Sequence, residues 1–135
     1  MGVFLDTSCV VSFFLSDAHH EKAKLVRDRI LQHEIKGLIS ALSLAELCGV
    51  VRRNRGEAEA TQVKNAMETI AERELLTIIS ISNLDASLAS DIAIKTGLKG
   101  ADAIIVSAAK QKETKLATFD EEIKKKAKGY VGFYE

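Results

Sequence analysis

The chain has 135 residues, 47% of them hydrophobic, with 19 lysines and arginines against 19 aspartates and glutamates. That is the size of one ordinary domain with enough apolar material for a core, so residues 1–135 are read as a single domain. A formal charge of zero excludes a uniformly basic nucleic-acid coat and an acidic tail protein, but leaves room for a local charged patch.

Taken along the chain, the elements alternate. Gly2 to Leu5 is a short apolar run ended by Asp6-Thr7-Ser8, the pattern of a strand followed by a helix start. His20 to Ile35 carries Ala23, Val26 and Ile30 among charged residues, which predicts an amphipathic helix. Gly37 to Ala41 reads as a second strand and Ser43 to Arg53 as a helix. Glu57 to Glu72 places Ala60, Val63, Met67 and Ile70 on one helical face. Leu75 to Ile81 is rich in isoleucine and reads as a third strand, buried on both faces like a central parallel strand. A helix over Asp85 to Thr96, with Leu84, Leu88 and Ile92 spaced by four, closes at Gly97. An apolar helix over Ala101 to Lys112 follows, then a fourth strand at Lys115 to Phe119. A charged helix over Glu121 to Lys128 and an edge strand at Tyr130 to Tyr134 complete the chain.

Strands separated by helices imply parallel pairing through crossovers. The expected fold is a three-layer α/β/α sandwich around a mainly parallel sheet of four or five strands. In such sheets ligands collect beyond the carboxyl ends of the strands. The apolar stretch Cys9 to Leu15 is far shorter than the ~20 residues that span a bilayer, and no positively charged segment precedes it. Cys9 and Cys48 are too few for a disulfide scaffold and read as buried free thiols. A soluble, cytoplasmic protein without a membrane partner is expected.

Four acids stand where chemistry would be looked for. Asp6, Glu46 and Asp120 each follow a predicted strand, so in a parallel sheet they leave the same edge. Each also has a structural explanation. Asp6 and Asp120 suit helix N-caps, and Ser43-x-x-Glu46 suits a capping box. Asp102 suits the positive end of a helix dipole. Yet Asp102 shares its helix face with Ile105, Val106 and Ala109, which turns the carboxylate toward the core. An inward acid is costly unless paired or bound to a cation. Of the lysines, only Lys95 and Lys99 precede it closely enough to reach. Convergent carboxylates without matched cations raise one another's pKa, and a divalent ion resolves the conflict. Oxygen-only ligands favour Mg²⁺ or Mn²⁺ over zinc.

The order Asp6, Glu46, Asp102, Asp120, in the contexts Leu-Asp-Thr-Ser, Leu-Ala-Glu-Leu, Gly-Ala-Asp-Ala-Ile-Ile and Ala-Thr-Phe-Asp, resembles PIN domains. Among these it is most similar to VapC-type toxins, over Val3 to Tyr134. The resemblance implies a Mg²⁺- or Mn²⁺-dependent ribonuclease. The four acids match the family's acidic quartet, and Thr118 a serine or threonine position beside the metals. Asp6 and Asp102 are expected to hold the main ion, with Glu46 and Asp120 completing its inner or outer shell. Thr7 adjoins the first acid, and Glu121 and Glu122 follow the fourth. Hydrolysis by metal-activated water would leave a 5′-phosphate and a 3′-hydroxyl. The resemblance also implies a homodimer and a VapB-like antitoxin whose tail occupies the acidic groove.

An RNA substrate needs cations near the acids. Arg52, Arg53 and Arg55 cluster at the end of the predicted Glu46 helix, and lysines gather at Lys110, Lys112 and Lys115 and at Lys124, Lys125, Lys126 and Lys128. With two tyrosines and five phenylalanines there is little sign of a base-stacking platform, which favours RNA shape or a short exposed loop as target. His19, His20 and His33 lack ligand spacing and read as solvated surface. Phe13 and Phe14, with Val10 and Val11, read as core or as a self-association patch. Two rival functions stand beside the nuclease. One is a PIN-like module that binds RNA or protein without cutting. The other is a Mg-dependent phosphatase of the haloacid-dehalogenase type, which expects an aspartate where Ser8 stands.

Overall fold

In the computed structural model, which describes residues 2–135, strands and helices alternate throughout. The order is β1 (Gly2–Leu5), α1 (Thr7–Phe14), α2 (His20–Leu31), β2 (Lys36–Ser40), α3 (Ala41–Arg55), α4 (Glu57–Glu72), β3 (Leu76–Ile79), α5 (Asn83–Thr96), α6 (Gly100–Gln111), β4 (Lys115–Ala117) and α7 (Glu121–Lys126). The four strands form one sheet in the order β3-β2-β1-β4, and every pairing is parallel. Alternate residues feed the two sheet faces: Val3 and Leu5 enter one core and Phe4 the other. The first core is roofed by α1 to α4, the second by α5, α6 and α7. This is the expected three-layer α/β/α sandwich.

The chain moves outward from β1 to β2 to β3, then returns across the other face to lay β4 on the far side of β1. The winding direction therefore reverses between β1 and β4. Loops diverge at such a switch point and leave a crevice beyond the carboxyl ends of the strands. The Asp6 N–H donates to the Ala117 carbonyl at 2.9 Å, so the two strand ends stay joined up to the crevice.

Several expectations change. The isoleucine-rich strand is not central but an edge: β3 pairs only with β2. Its composition reflects helices on both sides, since Ile78 packs into the first core and Ile79 into the second. The helix expected to reach Ile35 ends at Leu31, and His33 turns the chain with φ 61° so that buried Ile35 can lead into β2. Leu84 and Leu88 are 67% and 38% exposed, so of the expected stripe only Ile92 enters the core. The Tyr130–Tyr134 segment makes a single parallel bridge, Leu116 to Phe133, rather than a strand. Phe13 is core, and Phe14 packs half-buried against it beside a cleft lined by Ile30, Leu31, Met67 and Ile70. Cys9 is buried but Cys48 only half-buried, and both are free thiols.

Gly97 ends α5 in the left-handed conformation, φ 73°, where only a glycine is free of Cβ strain. The nearest atom to an added Cβ is the far end of Lys126, at 3.9 Å, so a side chain there would meet no neighbour. Gly97→Ala should therefore cost about 1 kcal/mol through the backbone alone. Urea unfolding midpoints of the two proteins would measure it.

Candidate active site

The crevice is built from strand ends and helix starts. Asp6, directly after β1, is 4% exposed and caps α1. Its Oδ1 accepts from the Thr7 N–H at 2.8 Å, and its Oδ2 accepts from Ser8 Oγ at 2.9 Å and Thr118 Oγ1 at 2.7 Å. Three donors fill most of the lone-pair directions of one carboxylate and fix its orientation. Thr118, buried just after β4, also accepts from the Asp120 N–H at 3.0 Å. One hydroxyl thus ties the first acid to the last.

Asp120 caps α7, its Oδ1 accepting from the N–H groups of Glu122 and Ile123 at 2.9 and 3.2 Å. Its Oδ2 has no hydrogen-bond partner among the described residues. Asp102 lies in the first turn of α6, and its neighbours Ile105, Val106 and Ala109 are buried, as the helical period requires. Its side chain makes no hydrogen bond among the described residues and is half-buried.

Glu46 is reached differently from the capping box the sequence suggests. Helix α3 begins at once after β2, and Ser40, not Ser43, is its N-cap. Ser43 in the first turn and Glu46 in the second therefore share the side of α3 that faces Thr7. The Thr7 hydroxyl lies 2.8 Å from both Ser43 Oγ and Glu46 Oε1. An ionised carboxylate only accepts, so Thr7 donates to Glu46 and takes the Ser43 proton. That role of Thr7 as a clasp on Glu46 was legible only as adjacency to Asp6.

The electrostatics match the arrangement. Burial pushes the Asp6 carboxyl up, against the pull of its three donors, and Asp120 adds repulsion. Asp102 is pushed up to about 6, first by burial and then by Asp6 and Asp120, with a smaller push from Glu46. Among the described residues Lys99 is the cation that opposes this. Asp6, Asp102 and Asp120 are thus within electrostatic reach of one another, and Glu46 is within reach of Asp102. Among the described residues no three of them stand in a finished cation cage. The donor set still fits a hard divalent ion: oxygen ligands only, one rigid and buried, two with free oxygens, and too few cations to neutralise them.

The remaining candidates divide. Glu121 and Glu122 pair with Lys124 and Lys126 of their own helix. Lys110 sits over the Tyr130 ring. Arg52, Arg53 and Arg55 are exposed and make no ion pair among the described residues. Arg53 shares a face of α3 with Gly49 and Glu46, and a Cβ at Gly49 would meet its Nη1 at 3.2 Å. The guanidinium therefore folds back along the helix toward Glu46. Two histidines are not simple solvated surface. His20 Nδ1 lies 2.8 Å from the Ser12 carbonyl, and the His19 ring is stacked on Phe119 at 4.5 Å.

A family model described as PIN domain matches residues 3–129. A search of curated proteins finds no match. Similar solved structures include VapC20 of Mycobacterium tuberculosis, described as a sarcin-ricin loop cleaving toxin (19% identity, TM-score 0.76, covering 98% of this chain and 99% of that one). A toxin–antitoxin complex from Klebsiella pneumoniae aligns with 20% identity and a TM-score of 0.70, over 98% of this chain and 96% of that one. VapBC2 from Rickettsia felis, bound to a DNA fragment from its promoter, aligns with 20% identity and a TM-score of 0.69, over 99% and 98%. At these identities the likeness is one of fold.

The raised Asp102 pKa has a stability consequence. The fold holds the proton more tightly than the unfolded chain does. Its disfavour toward the charged form is absent below the ordinary 3.8, grows as pH rises toward about 6, and is constant above. Asp102→Asn should therefore stabilise the metal-free protein at neutral pH, on the order of 1 kcal/mol once solvent screening of this half-buried group is counted. The gain should vanish near pH 4. Thermal melts of both proteins in EDTA across that range would measure it.

Proposed function

This chain belongs to the PIN domain family, and on that footing we propose that it is a metal-dependent endoribonuclease acting as the toxin of a toxin–antitoxin pair. The observation that carries the reading is the Asp6, Asp102 and Asp120 group at the β1–β4 switch point, where the acids repel one another and, among the described residues, Lys99 is the cation that opposes this at Asp102. A binding module has no use for such a concentration of acids, and bare carboxylates repel the phosphates of RNA. A divalent cation reverses both objections.

Asp6 and Asp102 would hold the main Mg²⁺ or Mn²⁺, with Glu46 and Asp120 as further carboxylates of the site. When bound, such an ion supplies hydroxide near neutral pH and offsets charge on the phosphoryl oxygens. The chain's own residues prepare the site. Thr118 and Ser8 orient Asp6, and Thr7 with Ser43 orients Glu46. Thr118 also fixes the backbone that presents Asp120. Arg53, free of acidic partners and laid toward Glu46, would grip a substrate phosphate next to the one being cut. The likeness to toxin–antitoxin complexes supports an antitoxin partner, and a homodimer belongs to the same proposal. Among the described residues no helix is long and apolar enough to cross a membrane, and we place the reaction in the cytoplasm, where its RNA is.

The purified protein should cut mixed RNA when Mg²⁺ or Mn²⁺ is present and stop when EDTA is added. The products should carry 5′-phosphate and 3′-hydroxyl ends. Asp6→Asn and Asp102→Asn should each abolish cleavage while circular dichroism stays that of the parent. A 2′,3′-cyclic phosphate product, or full activity of either variant, would sink the assignment. Arg53→Ala should raise KM roughly ten-fold with kcat little changed, as expected for loss of a ground-state phosphate contact.

A further inference from the structure

Next to the acids lies a groove of about 740 Å³, the size of a small-molecule pocket. Thr118 belongs to both, so the groove opens from the acidic site itself. Its walls are apolar (Leu25, Val26) and aromatic (Phe119), and its charged lining mixes Lys22, Arg29 and Lys124 with Asp28 and Glu135. Leu25 is 66% exposed.

Phe119 occupies the single position between Thr118 and Asp120, and its N–H faces Ser8 Oγ at 3.4 Å. The His19 ring lies flat on it, with centroids 4.5 Å apart and planes 4° from parallel. His19 is an exposed residue, and Phe119 covers one face of its ring. The loop that carries it is fixed: Asp17 accepts from Ser12 Oγ at 2.8 and 3.0 Å and from the His19 N–H at 3.0 Å. The result is a flat ring, held in place on a second ring, presented one residue from two groups of the candidate active site. Lys22 stands nearby with no carboxylate within salt-bridge distance among the described residues.

We propose that the His19–Phe119 stack is a nucleobase platform, on which an unpaired base next to the scissile phosphate lies, with Lys22 facing its flanking phosphate. This rests on the ribonuclease reading and adds to it the side chains that would seat an unpaired base. Every base has a π-face, so the platform would position the strand without reading its sequence. A polypeptide in the same groove would use its apolar walls and have no need of an exposed planar ring.

The test uses the Asp102→Asn protein, so that binding is read without cleavage, and a short single-stranded RNA carrying 2-aminopurine. Fluorescence quenching should report stacking of the probe. His19→Ala should weaken binding roughly five- to hundred-fold, the range of one lost base stack. His19→Trp should restore it, and duplex RNA of the same sequence should compete poorly. Phe119→Leu keeps the apolar packing but removes the ring beneath, and should also lose quenching. Equal binding by His19→Ala and its parent would overturn the platform and leave the groove to a polypeptide. The two readings fail separately. An otherwise wild-type protein that cuts no RNA, but whose RNA binding depends on His19, loses the nuclease assignment and keeps the platform. One that cuts RNA with the same KM after His19→Ala keeps the nuclease and loses the platform.

Discussion

Like charges gathered at the end of a parallel sheet are the constraint from which the rest of this molecule follows. Asp6 is buried, Asp102 is turned inward by its helix, and Asp120 is close enough to repel both. A protein does not hold such a group for stability, since burial and repulsion both oppose the charged form. The surrounding structure over-determines the acids instead. Three donors hold Asp6, two backbone N–H groups hold Asp120, and a threonine holds Glu46. Local cost accepted at one place and compensated by its neighbours is the expected mark of a functional site.

Capping and function are not alternatives here. Asp6 and Asp120 each begin a helix, and each is also an acid of the candidate site. The economy has a geometric origin. In a parallel α/β sheet every strand's carboxyl end is followed by a turn into a helix, so the residue best placed to cap the helix is also nearest the crevice. One oxygen of Asp120 serves the cap while the other stays open. Glu46 and Asp102 have no capping duty, because Ser40 caps α3 and α6 starts at Lys99 without a side-chain cap.

The proposed substrate contacts come from different parts of the chain: Arg53 folds back over Gly49 on α3, and the His19–Phe119 stack joins the residue before α2 to the one between Thr118 and Asp120. The lysines at the carboxyl end of the chain are less free, since Lys124 and Lys126 pair with glutamates one turn back in their own helix. The proposed RNA path therefore depends more on a few placed side chains than on net charge, in keeping with a chain whose formal charge is zero.

The sequence by itself determined what local rules control. Apolar period and turn residues located the four strands and most helix boundaries, because each element must present an apolar face to a core. Asp6, Glu46 and Asp120 stood out by position after strands, Asp102 by its apolar helix face, and Thr118 by resemblance to the family's motif. Tertiary structure decided the rest. Strand order made β3 an edge although its isoleucines suit a centre, since helices cover both faces and composition records burial, not rank in the sheet. The Thr7–Glu46 clasp spans 39 residues, the Thr118–Asp6 bond 112, and His19 meets Phe119 across most of the chain. No periodicity encodes such pairs: each partner alone is an ordinary polar or aromatic residue, and only the crossover topology brings its mate within reach.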